Sequence, residues 1–145
     1  MKRIKNYIVL LVVGLFAFCM ESCKDEEKFT TFPQPGWSAE FNKDYNASMT
    51  AVVSLPDNLA AYANEKDEIA AFIGNECRGV GTAIEGLYYV LIKGSPEEQA
   101  KVTFRYYSAT NQYMYKAAIG FDFESDGTYG TTDEPKILPL IVVEE

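Results

Sequence analysis

A run of oxygen-bearing side chains near the C-terminus has the spacing of a twelve-residue calcium loop. Counted from the first aspartate, oxygens fall at loop positions 1, 3, 5, 7 and 12, and Gly127 falls at position 6, where such a loop turns sharply. The residues on either side alternate as strands do, whereas a calcium loop with this spacing is flanked by two helices. The alternative is a solvent-exposed Asp-Gly turn, which we favour, and we expect no bound metal. The calcium candidates are Asp122, Glu124, Asp126 and Asp133.

Tyrosine is the second residue type here with the chemistry of a binding site. The chain has 10 Tyr, 9 Phe and 1 Trp, and such rings stack on sugars and anchor protein interfaces. In the alternating stretch 102–107, Tyr107 falls on the polar side, next to the polar turn 108–112 that contains Asn111. We predict that Tyr107 and Asn111 contact a ligand. The alternative for Tyr107 is packing against neighbouring strands.

The composition argues against an enzyme and against a nucleic-acid partner. The chain has no histidine, which excludes Ser-His-Asp and Cys-His catalysis and the commonest zinc ligand. No glycine-rich phosphate loop, nucleophile elbow or Cys-x-x-Cys motif occurs in the sequence. The 21 acidic residues outnumber 13 basic ones, so the surface repels phosphate backbones. We expect a non-enzymatic protein without a cofactor.

The first 22 residues have the pattern of a secretory signal peptide. A basic start at 2–5 precedes an uncharged, mostly apolar run at 8–20. That run is shorter than the ~20 residues that a membrane-spanning helix needs. The alternative is a membrane anchor that remains on the protein.

The end of this segment resembles the lipobox of bacterial lipoproteins, because the small residue Ser22 directly precedes Cys23. The resemblance implies that Cys23 is acylated and becomes the first residue of the mature protein. The acidic run at 24–27 resembles the export signal that places lipoproteins on the outer face of the outer membrane in Bacteroidetes-type bacteria. The alternative for this run is a solvated tether. We therefore expect a lipid-anchored protein of the outer membrane, at the cell surface.

From Trp37 onward, apolar residues recur at every second position, which is the period of a β-strand. Residues 57–66 are alanine-rich and are predicted to form a short helical turn. The turn signals recur every 8–12 residues, as in an all-β, antiparallel two-sheet β-sandwich of about eight strands, Ig-like in general architecture. The predicted strands are 37–41, 49–55, 69–73, 77–83, 87–92, 102–107, 113–123 and 137–143.

These patterns divide the chain into three parts. Residues 1–22 form the predicted signal peptide, 23–36 the lipidated cysteine and a flexible tether, and 37–145 the β-sandwich domain. The tether is inferred from a charged and then proline-rich stretch without apolar periodicity. Cys77, inside the domain, is predicted to be a small buried hydrophobic residue.

The segment DEIAAFIGNECRGV at 67–80 resembles a motif of β-sandwich modules in surface and secreted proteins of Bacteroidetes-type bacteria. Similar residues follow at 102–107 and at 130–138, so the resemblance covers about 48–140. It implies a fold and a location, but no defined chemistry.

Together these features predict a binding or adhesion module whose ligand is a glycan or a partner protein. Two alternatives stay open at this point. One is a structural or accessory subunit of a surface glycan-uptake complex. The other is a periplasmic inhibitor or immunity-type lipoprotein.

Overall fold

The computed structural model describes residues 29–39 and 42–144. The predicted signal peptide at 1–22, Cys23 and the acidic run at 24–27 lie outside these residues. Strands make up 46% of the structure and helix 4%, which confirms the predicted all-β class. In the part of the chain described, no helix has the length and apolar character needed to cross a membrane.

The strands begin after an irregular N-terminal segment, and the predicted helical turn near residue 57 is present as the short helix α1. The elements are β1 Ala47–Ser54, α1 Asp57–Ala60, β2 Glu68–Ile73, β3 Glu76–Ile84, β4 Leu87–Gly94, β5 Lys101–Ser108, β6 Tyr113–Ala117, β7 Phe121–Asp122, β8 Thr128–Tyr129, β9 Lys136–Ile137 and β10 Leu140–Val142.

These strands form one curled, mixed sheet, so the predicted two-sheet sandwich is not confirmed. The order is β10-β6-β5-β2-β3-β4-β1-β8, with β7 beside β5 and β9 beside β1. β8 and β9 run parallel to β1, whereas a fully antiparallel arrangement was expected. The sheet curls into a half-barrel.

The long strand β3 explains why the sheet stays continuous. Its first half pairs with β2, and its second half, from Gly81 onward, pairs with β4. Gly79 is buried near this change of partner, and a Cβ atom there would overlap the carbonyl oxygen of Leu91. The missing side chain lets β3 and β4 approach closely. Because β3 pairs first with β2 and then with β4, its backbone joins the two halves into one sheet.

Three predicted strands differ from the structure. Residues 37–39 are not in a strand, and 40–41 lie outside the described residues. The predicted strand 113–123 is divided into β6 and β7, and Ile119 between them is 71% exposed. The predicted strand 137–143 is interrupted at Pro139, because proline has no N–H to donate to a neighbouring strand.

The main hydrophobic core fills the concave face of the curled sheet. Two aromatic rings bridge the open side of the half-barrel, since Phe121 of β7 stacks on Tyr129 of β8 with ring centroids 3.8 Å apart. The buried residues of this core are Ala47, Met49, Ala51, Val53, Leu55, Ile69, Ala71, Tyr88, Val90, Ile92, Val102, Phe104, Tyr106, Ala117, Phe123 and Leu138.

A second, smaller cluster lies on the opposite, convex face. It consists of Ala70, Phe72 and Cys77, and Trp37 packs against it. Cys77 is 8% exposed, which confirms the prediction that it is a buried residue. Trp37 belongs to the irregular N-terminal segment, so this segment covers part of the convex face.

Candidate functional site

The N-terminal segment 29–39 lies across the convex face of β2, β5 and β6. Phe29 packs edge-on against Tyr113, with ring centroids 5.5 Å apart. The backbone N–H of Phe32 donates to the carbonyl oxygen of Gln112 at 2.8 Å. Residues 29–36 therefore contact the domain, whereas the sequence predicted a flexible tether over 23–36. The contacts of 29–36 come from single aromatic residues, which leave no periodic pattern in the sequence, and residues 23–28 lie outside the described residues.

Glu68 of β2 holds the end of this segment in place. Its two carboxylate oxygens accept hydrogen bonds from the backbone N–H groups of Gly36 and Trp37, at 3.2 and 3.0 Å. Gly36 has φ +58°, a conformation that glycine adopts without strain. The Trp37 ring then packs edge-on against Phe72 with a centroid distance of 5.6 Å. The position of the indole thus depends on a carboxylate 31 residues away in the chain.

Tyr107, predicted to lie on the solvent-facing side of β5, is 3% exposed. This prediction of exposure is wrong, because the N-terminal segment covers the polar side of β5 at this point. The phenolic O–H of Tyr107 donates to the carbonyl oxygen of Phe32 at 3.2 Å. Tyr107 therefore supports the segment from beneath and is not placed to contact a ligand directly.

Replacing Tyr107 with alanine should lower the free energy of unfolding by about 2 kcal/mol. The value lies below the roughly 3–5 kcal/mol typical of removing a buried Phe or Trp side chain, because the covering segment can settle into the gap. Urea unfolding of both proteins measures the difference. Tyr62→Ala is the control, since Tyr62 is 68% exposed. Unchanged stability of Tyr107→Ala would return Tyr107 to the role predicted from the sequence.

A groove of about 430 Å³ opens where the N-terminal segment meets β5 and β6. Three aromatic or thioether side chains and one valine form its apolar walls, and two cationic side chains complete it. The lining residues are Phe32, Trp37, Arg105, Met114, Lys116 and Val143. All but Lys116 are partly buried, so the groove is a surface depression and not an enclosed cavity.

The two cations lie side by side. Arg105 of β5 is directly opposite Lys116 of β6 in the antiparallel register. The Arg105 guanidinium carbon lies 4.3 Å from the centroid of the Phe72 ring, and Nη2 donates to Oδ1 of Asn75 at 3.2 Å. Within the described residues, neither Arg105 nor Lys116 forms an ion pair with a carboxylate. The groove thus combines an indole surface with two uncompensated positive charges.

Asn111 is exposed, as predicted, but it does not line the groove. Its Oδ1 accepts a hydrogen bond from the backbone N–H of Tyr113 at 2.9 Å. This bond stabilises the turn between β5 and β6, in which Gln112 has φ +62°. The local role of Asn111 is therefore that of a turn residue.

The calcium candidates are spread along the C-terminal part of the sheet. Asp122 pairs with Lys101 at 2.7 Å, and the backbone N–H of Asp126 donates to the carbonyl oxygen of Ser48. In the described residues no group of three or more acidic side chains is arranged to hold a metal ion. Asp122, Glu124, Asp126 and Asp133 are thus not brought together as a ligand cluster. Between β7 and β8 the chain makes a turn, in which the backbone N–H of Gly127 donates to the carbonyl oxygen of Glu124 at 2.9 Å.

Sequence reasoning placed Arg105 and Lys116 on the polar faces of their strands, but did not single them out as a site. Their alternation was the available signal. No sequence pattern predicts the role of Phe32 and Trp37, because that role depends on where an irregular segment packs against the sheet. No protein-family model, curated protein or solved structure matches this chain.

Proposed function

We propose that this chain is a non-enzymatic, lipid-anchored protein of the outer membrane that binds a glycan at the cell surface. The groove lined by Trp37 is the proposed binding site, and it is the observation that carries the proposal. Its volume of about 430 Å³ falls within the ordinary range for small-ligand sites, about 300–1,000 Å³. It can therefore admit a short oligosaccharide.

The chemistry of the groove supports a sugar over a purely apolar ligand. One face of a pyranose ring carries mainly C–H groups and packs on an aromatic ring, while its hydroxyl groups need polar partners. Trp37 and Phe32 provide the rings, and Arg105 and Lys116 provide hydrogen-bond donors at the same groove. A site without polar side chains could not compensate the loss of water from sugar hydroxyls.

The proposed anchor is Cys23, followed by the acidic run at 24–27. Because residues from Phe29 onward contact the sheet, only 24–28 remain between the lipidated cysteine and the domain. Six extended residue steps reach at most about 20 Å. The groove would thus stay near the membrane surface, where it can capture the ends of extracellular polysaccharides.

Glycan binding should depend on the indole. Trp37→Ala should weaken the binding of oligosaccharides by tenfold or more, as expected for an aromatic residue at the centre of a site. Isothermal titration calorimetry with the full-length protein in detergent measures this loss. Tyr62→Ala, which removes an exposed ring outside the groove, should leave the affinity unchanged. Equal affinities of wild type and Trp37→Ala would exclude this groove as the site.

Lipidation has its own test in cells. Labelled palmitate should enter the wild-type protein but not Cys23→Ala, because the Cys23 thiol is the proposed site of acylation. Two or three acyl chains would anchor the protein stably, at ~0.8 kcal/mol per buried CH₂ group. Cys77→Ser is the matched control and should keep the label. Labelling of Cys23→Ala would rule out the lipid anchor at this position.

Exposure at the surface is tested on intact cells. Added protease should digest the wild-type protein, and neutral residues at 24–27 should protect it. Resistance of the wild type would place the protein in the periplasm and favour an inhibitor or immunity role.

A further inference from the structure

We infer that the groove binds an acidic glycan, and that Arg105 and Lys116 recognise the carboxylate of a uronic acid. The inference rests on the proposed glycan-binding function and adds the chemical class of the ligand. It starts from the placement of two like charges. Arg105 and Lys116 are directly opposite each other on adjacent strands, an arrangement that is destabilising without a counter-ion.

The surrounding chain does not compensate these charges. The lack of an ion pair alone does not distinguish Arg105 and Lys116, but their placement opposite each other does. Of the eight Lys and Arg side chains in the described residues, only Arg78 and Lys101 are paired with carboxylates. Arg105 and Lys116 form no such pair within the described residues. An anion bound between them would remove the repulsion that the free protein carries.

Glu68, an acidic residue on the same face, does not neutralise the charges of Arg105 and Lys116. Both of its carboxylate oxygens accept backbone N–H groups from Gly36 and Trp37. It lies in the cross-strand row of Tyr107, whereas Arg105 and Lys116 form the next row on the same face. The charge of Glu68 therefore holds the indole in position and leaves the cationic pair for a ligand.

Arg105 is oriented before a ligand arrives. The Phe72 ring supports the guanidinium on one side at 4.3 Å, and the Asn75 side chain accepts one of its N–H groups. A guanidinium has five N–H donors in a planar fork, so others stay available to a ligand. The planar fork matches both oxygens of a carboxylate. Lys116, which is exposed, adds a mobile charge from the neighbouring strand.

The indole and the cations together define the orientation of the sugar. A uronic acid carries its carboxylate on the carbon outside the ring, so the apolar ring face and the charge are only a few ångströms apart. Trp37 and Arg105 line the same groove, so one uronic acid residue can contact both. Neutral sugars would contact the indole and use the two cations only as hydrogen-bond donors, without the charge interaction.

The test uses pairs of probes that differ only in charge. Oligomers of galacturonate, glucuronate and mannuronate, each with its methyl ester, are titrated calorimetrically into the full-length protein in detergent. At least one acid should bind tenfold or more tightly than its ester, and added salt should weaken only the acid. Arg105→Gln and Lys116→Gln should each abolish this preference and lower the affinity for the acid far more than that for the ester, because glutamine keeps an N–H donor but not the charge. Lys93→Gln, which removes an exposed lysine outside the groove, should retain it.

The possible failures are distinguishable. Equal binding of acids and esters would overturn the acidic-ligand inference and leave the proposed glycan-binding function intact. Tight binding of sulfated oligosaccharides, but not of uronates, would contradict the carboxylate assignment. If neither charged nor neutral oligosaccharides bind, the proposed function and the inference both fail. Thermal melting of each variant shows that a lost preference does not come from unfolding.

Discussion

Phe104→Ala should lower the free energy of unfolding by about 4 kcal/mol, the largest effect expected for a single substitution in this chain. Phe104 of β5 is 1% exposed, and its ring stacks on Phe121 with centroids 5.7 Å apart. Phe121 in turn stacks on Tyr129 across the opening of the half-barrel. Removing the Phe104 ring leaves a cavity beneath this aromatic contact.

Urea unfolding followed by circular dichroism measures this change. Ile119→Ala is the control, since Ile119 is 71% exposed and its removal should cost less than about 0.5 kcal/mol. Phe104→Leu should lie between the two, because leucine fills part of the same volume. A loss below about 1 kcal/mol for Phe104→Ala would contradict the packing of this core.

Glu98→Ala should lower the free energy of unfolding by about 3 kcal/mol, because it leaves a buried cation with too few partners. Arg78 is 5% exposed, and its Nη1 lies 2.8 Å from Glu98 Oε2. The same Nη1 donates to the carbonyl oxygen of Lys93 at 3.2 Å, and Nε lies 3.2 Å from a Glu76 oxygen. These remaining contacts keep the loss at the lower end of the range for broken buried pairs.

The pair also makes stability depend on pH. The hydrogen bond from Arg78 holds the pKa of Glu98 below its ordinary value of 4.5, against the opposing effect of burial. The stabilisation is complete above pH 4.5 and is lost as the pH falls through the lower pKa of the folded state. The difference between wild type and Glu98→Ala should therefore shrink in acid.

Urea unfolding at pH 7 and at pH 3 tests both expectations. Glu97→Ala is the matched control, because Glu97 is the exposed neighbour of Glu98. This substitution removes the same charge but leaves the partners of Arg78 in place. Equal losses for Glu97→Ala and Glu98→Ala would show that the buried pair contributes nothing beyond net charge. A pH-independent difference would show that the carboxylate charge is not the cause.

Local patterns predicted several elements well. The hairpin of β2 and β3 was expected from two apolar stretches around Gly74, and the structure places its turn there. The inward positions of β5, Val102, Phe104 and Tyr106, are all buried. Both predictions depend only on neighbouring residues, because side chains alternate along a strand wherever that strand lies.

The candidate site was predicted less well, and Tyr107 shows why. Alternation placed it correctly opposite the main core, on the same side as Arg105. Exposure of that side, however, depends on whether another segment covers it. Phe32 does so through a carbonyl 75 residues away in the chain, and no local pattern encodes such a contact.

Several properties follow from the amino-acid sequence alone, because each depends on composition or on neighbouring residues. They are the all-β class, the acidic net charge, the absence of histidine and the resemblance of Ser22-Cys23 to a lipobox. The single curled sheet, the burial of Tyr107 and the meeting of Trp37 with Arg105 and Lys116 required the folded chain. They arise from contacts between distant segments, whose free energies depend on shape and on exclusion of water and not on sequence proximity.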